Sequence, residues 1–205
     1  MIEVLSSNIR GRFLSADLLD SMFRLRSAVF CDRLGWKLDN VSGRERDWLD
    51  DLNPTYMVAR ERTRPTRALG CWRLLPTTGP YMLRDVFPEM LDGKPAPSDA
   101  RVWEISRLAV SPETHAPGSP FGFGAIPIAM LRRLFAFSRE IGIDAFVTVT
   151  SVAVERMVNK LGLTFERLGA ARRFGGVANV AFHLPMDEQA EAILGTHPED
   201  TQRAA

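Results

Sequence analysis

Eight residues stand out by type and position: Arg26, Trp36, Asp47, Asp50, Arg73, Glu104, Ser106 and Arg107. Most interrupt segments that otherwise read as interior. In RVWEISRLAV (residues 101–110), apolar side chains surround a carboxylate, a hydroxyl and a guanidinium. Arg73 sits inside CWRLLP, and Arg26 shares a helical stripe with Leu19, Phe23 and Phe30. Charged groups leave water at high cost unless paired, and buried pairs add little stability over apolar replacements. Structural ion pairing accounts for any one of them. As a set, the arginines and carboxylates suit a pocket for a ligand that carries both signs of charge. Asp47 and Asp50, three apart in DWLDD, would share one side of a helical turn.

The elements that must position these groups follow from periodicity. Ile2 to Leu5 reads as a strand, and Ser15 caps a helix that Gly35 ends. Lys37 to Pro54 is polar and reads as a loop or a weak turn. Tyr56–Arg62 and Leu69–Leu75 form a hairpin, and Pro88 to Asp99 is irregular. Helices are expected over Gly124–Ile141 and from Val154 to Leu161, the latter stopped by Gly162. Strands are expected over Asp144–Thr150, Thr164–Leu168 and Val177–Leu184. The order predicts an α+β, three-layer αβα domain around one mixed sheet. It spans residues 1–185, with a polar, frayed C-terminal tail over 186–205.

Totals narrow the function. The 205 residues carry a formal net charge of +1, which does not suggest nucleic acid as the main partner. The two cysteines, Cys31 and Cys71, make neither a metal spacing nor a disulfide framework, so no metal is expected. No run approaches a membrane span, and the N-terminus lacks the pattern of a secretory signal. A cytoplasmic protein is expected by default.

Four blocks, LRSAVFCDRLGW (25–36), DWLDD (47–51), GCWRLLPTTGPYMLRDVFP (70–88) and VWEISRLAV (102–110), resemble successive blocks of the acyl-homoserine-lactone synthases, the autoinducer synthases of quorum sensing. The likeness is dense through these blocks and looser beyond. It implies an N-acyltransferase-like fold and a two-step reaction. The amine of S-adenosylmethionine attacks an acyl thioester carried by acyl carrier protein or coenzyme A. Its carboxylate then displaces the sulfonium, closing the lactone and releasing methylthioadenosine. Both molecules are substrates, and no cofactor is implied.

Within that resemblance Arg26, Phe30, Trp36, Asp47, Asp50, Arg73, Ser106 and Arg107 would bind substrate. An α-ammonium must lose a proton to become a nucleophile, so a carboxylate base is needed. Glu104 is the candidate, its apolar neighbours raising its pKa. Asp47 and Asp50 would hold the ammonium and sulfonium, or organise the loop by pairing with Arg26 and Arg107. Arg26 or Arg107 would clamp the carboxylate, and Phe30 and Trp36 would face the sulfonium or adenine. On a regular strand Arg107 points away from Glu104 and Ser106, so a β-bulge that re-aims it is expected.

The second half should serve the acyl donor. Residues 120–180 hold eight Lys/Arg against four Asp/Glu. Arg132, Arg133, Arg139, Lys160, Arg172 and Arg173 would meet an acidic carrier or coenzyme A phosphates. GSPFGFGAIP places glycines before a helix entry, where backbone N–H groups suit phosphate. Phe146, Thr148 and Met157 would line the acyl chain, with Leu108, Met130, Leu131, Val149 and Leu161 as further wall or core. The resemblance puts Thr148, with Thr150 as rival, where a hydroxyl accompanies 3-oxo donors. Two alternatives stay open: an N-acyltransferase acting on another amine, and a non-catalytic binding module.

Overall fold

The computed structural model describes residues 1–11, 13–114, 124–174 and 176–195. The first half contains β1 (Ile2–Asn8), α1 (Ala16–Ser27), the short pair β2 (Asn40–Val41) and β3 (Arg44–Glu45), then β4 (Thr55–Glu61) and β5 (Arg64–Pro76). A single helical turn α2 (Met82–Asp85), β6 (Val102–Val110) and α3 (Ala125–Ile141) follow. The chain continues through β7 (Ala145–Ser151), α4 (Val152–Lys160), β8 (Glu166–Arg167), β9 (Arg172–Phe174), β10 (Val177–Pro185) and α5 (Glu188–Leu194).

The main sheet runs β1-β4-β5-β6-β7-β10-β8, with β9 also on β10. Among the described residues, β6 and β7 are its one parallel pair, joined only from Val102 to Ile105 against Ala145 to Thr148. Beyond Ile105 the two strands run on unpaired with each other, and the sheet opens there. Every other neighbour is antiparallel.

Alternation along the strands splits the core into two faces. Met57 and Ala59 of β4, and Val180, Phe182 and Leu184 of β10, pack under α3, α4 and α5. Tyr56 and Val58 face α1 instead, and Val147 and Ala181 face α2. This is the expected α+β, three-layer architecture. Ser15 caps α1, its hydroxyl accepting from the Leu18 N–H at 3.3 Å, and Gly142 ends α3 in the left-handed region at φ 74°.

Five elements escaped the periodicity, among them the two-residue strands β2 and β3 in the stretch read as a loop. The single turn α2 and the three-residue β9 are too short to show one. Helix α5 corrects the tail expected from residue 186. Met186, Ala190 and Leu194 are buried in the main core, so the domain continues past 185. Three apolar anchors among polar neighbours are what an amphipathic surface helix requires. Residues 196–205 lie outside the described residues.

Candidate active site

The expected polar residues converge, and they do so on one another. Arg26 projects from α1 and donates from Nε to Glu45 Oε2 at 2.6 Å. Its two Nη atoms reach the Asp50 carboxylate at 2.8 and 2.9 Å. Arg73 of β5 donates to both Asp47 oxygens at 2.5 and 3.1 Å and to Asp50 Oδ1 at 3.0 Å. Arg107 donates to Asp47 Oδ2 at 2.5 Å and to Glu45 at 3.1 and 3.2 Å. The Tyr56 hydroxyl adds a further hydrogen bond to Asp50 at 2.6 Å. Three guanidiniums and three carboxylates thus form one closed lattice, nearly all of it out of water.

The acidic loop supplies its half of the lattice through local geometry. Asp47 caps a short 3₁₀ turn over Trp48–Leu52, accepting from the Leu49 N–H at 3.0 Å. Asp50 reaches back to the Asp47 N–H at 2.8 Å, a reciprocal capping box that points both carboxylates inward. Burial pushes the Asp50 carboxyl up, but Arg26, Arg73 and the Tyr56 hydroxyl outweigh it and hold it far below the usual carboxylate range. Burial also opposes the charge on Arg26, and Asp50 with Glu45 more than restores it. Arg107 is left less favoured as a cation, chiefly by burial and then by neighbouring Arg73 and Arg26.

Arg107 joins this lattice because β6 carries the expected bulge. Cys71 pairs with Ala109 and Arg73 with Ser106, so one intervening residue on β5 faces two on β6. Arg107 takes up the surplus with φ at 52°, a left-handed conformation costly for a side chain of its size. Its bonds to Glu45 and Asp47 hold it there.

Glu104 is fully buried and caps α2, its two oxygens accepting from the Met82 N–H at 2.8 Å and the Leu83 N–H at 2.6 Å. Burial lifts its pKa to about 7, against the lowering effect of those two donors, Arg73 and the Ser106 hydroxyl. Ser106 in turn accepts from Arg73 Nε at 3.2 Å. The isolated carboxylate is therefore wired to the lattice through one hydroxyl. A carboxyl poised near neutrality, buried and connected, has the properties of a general base.

A cavity of about 1160 Å³ fills the opening between β6 and β7. One side of it is aromatic, sulfur-bearing and cationic, with Phe30, Trp36, Met82, Phe87, Phe174 and Arg107. Trp36 stacks on Phe30 with ring centres 5.4 Å apart, and the Arg107 guanidinium lies 5.7 Å from the Phe30 ring centre. Trp36 Nε1 is the one buried side-chain nitrogen or oxygen among the described residues that lacks a hydrogen-bond partner. The other side is aliphatic, formed by Leu108, Val110, Val152, Val154 and Met157. Gly124 and Pro127 at the start of α3 also border it, whereas residues 118–123 of the glycine-rich stretch lie outside the described residues.

Of the residues expected along the acyl chain, Met157 borders the cavity and Phe146 and Thr148 do not. Phe146 is fully buried core. The Thr148 hydroxyl donates to the Ile105 carbonyl at 2.7 Å, where β6 and β7 are still paired. Thr150, two residues further on, lies past the parting of the strands and borders the cavity. Of the two threonines, the place in the cavity wall belongs to Thr150 and not to Thr148. Met130, Leu131 and Leu161 are likewise absent from the wall.

The expected basic face is only partly assembled. Arg173 lines the cavity together with Arg33, Lys37 and Arg156, whereas Arg132, Arg139 and Lys160 do not. Arg133 is engaged with Glu140 and the Ser6 hydroxyl, and Arg172 with Asp92. Sequence reasoning missed Glu45, which bridges Arg26 and Arg107. In the charge run Arg44-Glu-Arg-Asp47 it looks solvated, and only its place between two carboxylate-seeking arginines shows otherwise. Tyr56 and Asn179 were missed as well, the latter buried in the cavity wall.

No group of His, Cys, Asp and Glu suited to a metal ion occurs among the described residues. No helix among them is long and apolar enough to cross a membrane.

The autoinducer synthase family model matches residues 12–194. The chain is 38% identical over 177 residues to the acyl-homoserine-lactone synthase of Pseudomonas aeruginosa, covering 86% of this chain and 87% of that one. It resembles the crystal structure of the acyl-homoserine-lactone synthase LasI with TM-score 0.83 at 35% identity, over 95% of this chain and 94% of the other. The CoA-dependent acyl-homoserine lactone synthase BjaI, solved with SAM and isopentyl-CoA, aligns with TM-score 0.82 at 26% identity, covering 95% and 88%. A putative N-acetyltransferase from Lactobacillus plantarum, at 14% identity and TM-score 0.59 over 91% and 99%, shares the fold alone. With this match and these relatives, the chain belongs to the autoinducer synthase family.

Proposed function

We propose that this protein is an acyl-homoserine-lactone synthase that acylates S-adenosylmethionine and then lactonises the product. The observation that carries this reading is the cavity, whose lining joins aromatic and cationic groups to aliphatic ones. A purine, a sulfonium and a carboxylate suit the aromatic and cationic side, through stacking, cation–π contact and a guanidinium. An acyl chain suits the aliphatic side. Trp36 Nε1 would gain from the nucleoside the acceptor that the protein does not provide.

Glu104 does not line the cavity but accepts from the N–H of Met82, which does, so it takes one proton from the substrate ammonium through water. The freed amine attacks the thioester carbon, the C–N bond forms and the C–S bond breaks. The second ammonium proton leaves with the thiolate as thiol. The carboxylate oxygen then attacks the γ carbon, the C–S⁺ bond breaks toward sulfur, and neutral methylthioadenosine departs. Arg107 holds the carboxylate for this second displacement. Arg26, Asp47, Asp50 and Arg73 act one step back, since their bonds are made to one another and to Arg107 rather than to the cavity.

The donor is an acyl group on acyl carrier protein or coenzyme A, both acidic, and Arg33, Lys37, Arg156 and Arg173 offer the complementary charge. The test is direct. Purified protein is incubated with S-adenosylmethionine and a panel of acyl thioesters on both carriers, and products are followed by mass spectrometry. Methylthioadenosine and an acyl-homoserine lactone are expected. A different acylated amine with no methylthioadenosine, or ligand binding without turnover, overturns the reading.

A further inference from the structure

The aromatic side of the cavity has one wall that the reaction above does not explain. Phe87 and Phe174 come from distant parts of the chain, yet their ring centres lie 5.0 Å apart. Phe174 ends the three-residue strand β9, and Phe87 precedes a 3₁₀ turn over Pro88–Leu91. The segment leading into β9 lies directly on that turn. Asp92, in the left-handed region at φ 49°, accepts the Ala170 N–H at 2.6 Å and an Arg172 Nη2 bond at 2.7 Å. Gly169 makes the approach possible. A Cβ there would stand 2.3 Å from the Met90 carbonyl oxygen and 3.0 Å from Asp92 Oδ2. Backbone does not yield at such distances, so any side chain at 169 must lift the segment away.

The latch adds little to the fold. Asp92 and Arg172 are both substantially exposed, and pairs of that kind are worth little. What they fix is position. The turn carries Phe87 at one end and the carboxylate at the other, so fastening residues 169–172 to it sets the gap between Phe87 and Phe174.

We infer that Asp92 and Gly169 are positioning residues for the nucleoside half of S-adenosylmethionine, acting by holding Phe174 against Phe87. The inference rests on the proposed function, because it assigns the aromatic side of the cavity to that substrate. Val149 of β7 packs in the same cluster as both rings, and Arg173 lies between Arg172 and Phe174 in β9, so the acyl donor should feel the latch less than the nucleoside does.

The experiment uses Gly169→Ala and Asp92→Asn in the full chain. Affinity for methylthioadenosine is measured by calorimetry, and KM is measured separately for S-adenosylmethionine and for the acyl donor. Gly169→Ala is expected to weaken methylthioadenosine about tenfold and to raise the KM for S-adenosylmethionine in step, with donor KM raised by no more than about twofold and kcat unchanged. Asp92→Asn keeps an acceptor for Ala170 and tolerates the left-handed backbone, so it should show a smaller loss of about two- to threefold. If Gly169→Ala does not fold, Asp92→Asn carries the test, since its exposed pair leaves the melting temperature unchanged. Wild-type affinity in the variants, or a donor KM that rises equally, overturns the inference alone. A wild-type protein that binds no methylthioadenosine overturns the proposed function and this inference with it.

Discussion

On one side of the cavity Arg107 is set in place by a buried lattice of charge, with Phe30 against its guanidinium and Trp36 stacked on Phe30. On the other, Leu108 and Met157 are placed by packing alone. The contrast shows two ways of building a wall. Ionic bonds are directional, so a lattice fixes where each group lies and which way it faces, at the cost of desolvating every member. Aliphatic packing specifies volume and tolerates exchange of shape. A substrate that must present an amine, a carboxylate and a sulfonium in one orientation calls for the first. A chain that has only to be kept from water needs the second.

The contrast breaks most sharply at Asp50. Asp50→Ala leaves Arg26 and Arg73 buried without their shared partner, and about 3–5 kcal/mol of stability should be lost, read as the shift in a denaturant unfolding curve. A loss below 1 kcal/mol would mean that the lattice is not a unit. Glu104→Gln should retain the fold and lose turnover by about 10²- to 10⁴-fold, measured as methylthioadenosine release. Near-normal turnover would remove Glu104 from the reaction.

The same residue makes a prediction in pH. Its native pKa of about 7 exceeds the ordinary 4.5, chiefly through burial. The folded state therefore binds this proton more tightly than the unfolded chain does. Its contribution to stability is full below pH 4.5 and is lost as pH rises through about 7. Activity should do the reverse, rising through the same inflection as the base ionises, and Glu104→Gln should lose that inflection. A rate independent of pH between 5 and 9 would argue against the role.

On the aliphatic wall the effects should be smaller. Thr150→Val is expected to change the ratio of kcat/KM for 3-oxo and unsubstituted donors by about two- to tenfold. Thr148→Val should leave that ratio alone and cost about 1 kcal/mol for the lost bond to Ile105. The opposite result would return the role to Thr148. Away from both walls, Arg133→Ala removes a partly exposed pair with Glu140 and should cost less than about 1 kcal/mol by thermal melting. A larger loss would put surface pairing on a par with the lattice.

How much of this the sequence disclosed follows the same division. Arg73, Glu104 and Arg107 declare themselves because a charge inside an apolar run needs an explanation, and the bulge follows from asking how Arg107 could share a site with Glu104. Glu45 stays hidden because its neighbours are charged and its burial depends on a hairpin of four residues, β2 and β3. Phe146, Met157 and Leu161 are alike in the sequence, and only where β6 and β7 part decides which is wall and which is core. Thr148 and Thr150 differ by that boundary alone. The helix α5 was legible in principle, since Met186, Ala190 and Leu194 are spaced by four, but a segment as short as MDEQAEAIL in a charged terminus is a faint signal.

The extra residue in β6 divides that strand into two stretches out of phase with each other. Before it, Trp103 and Ile105 face the main core under α3 while Glu104 turns the other way. After it, Leu108 and Val110 face that core and Ala109 looks toward α1. Odd and even positions have traded faces. Ironing the bulge flat while keeping every residue would rotate the whole remaining length by half a turn, bringing Leu108 and Val110 under α1 and sending Ala109 into the space where an aliphatic wall now stands. Deleting the surplus residue would instead restore a regular alternation, with Leu108, Ala109 and Val110 on the faces they now occupy, at the loss of Arg107.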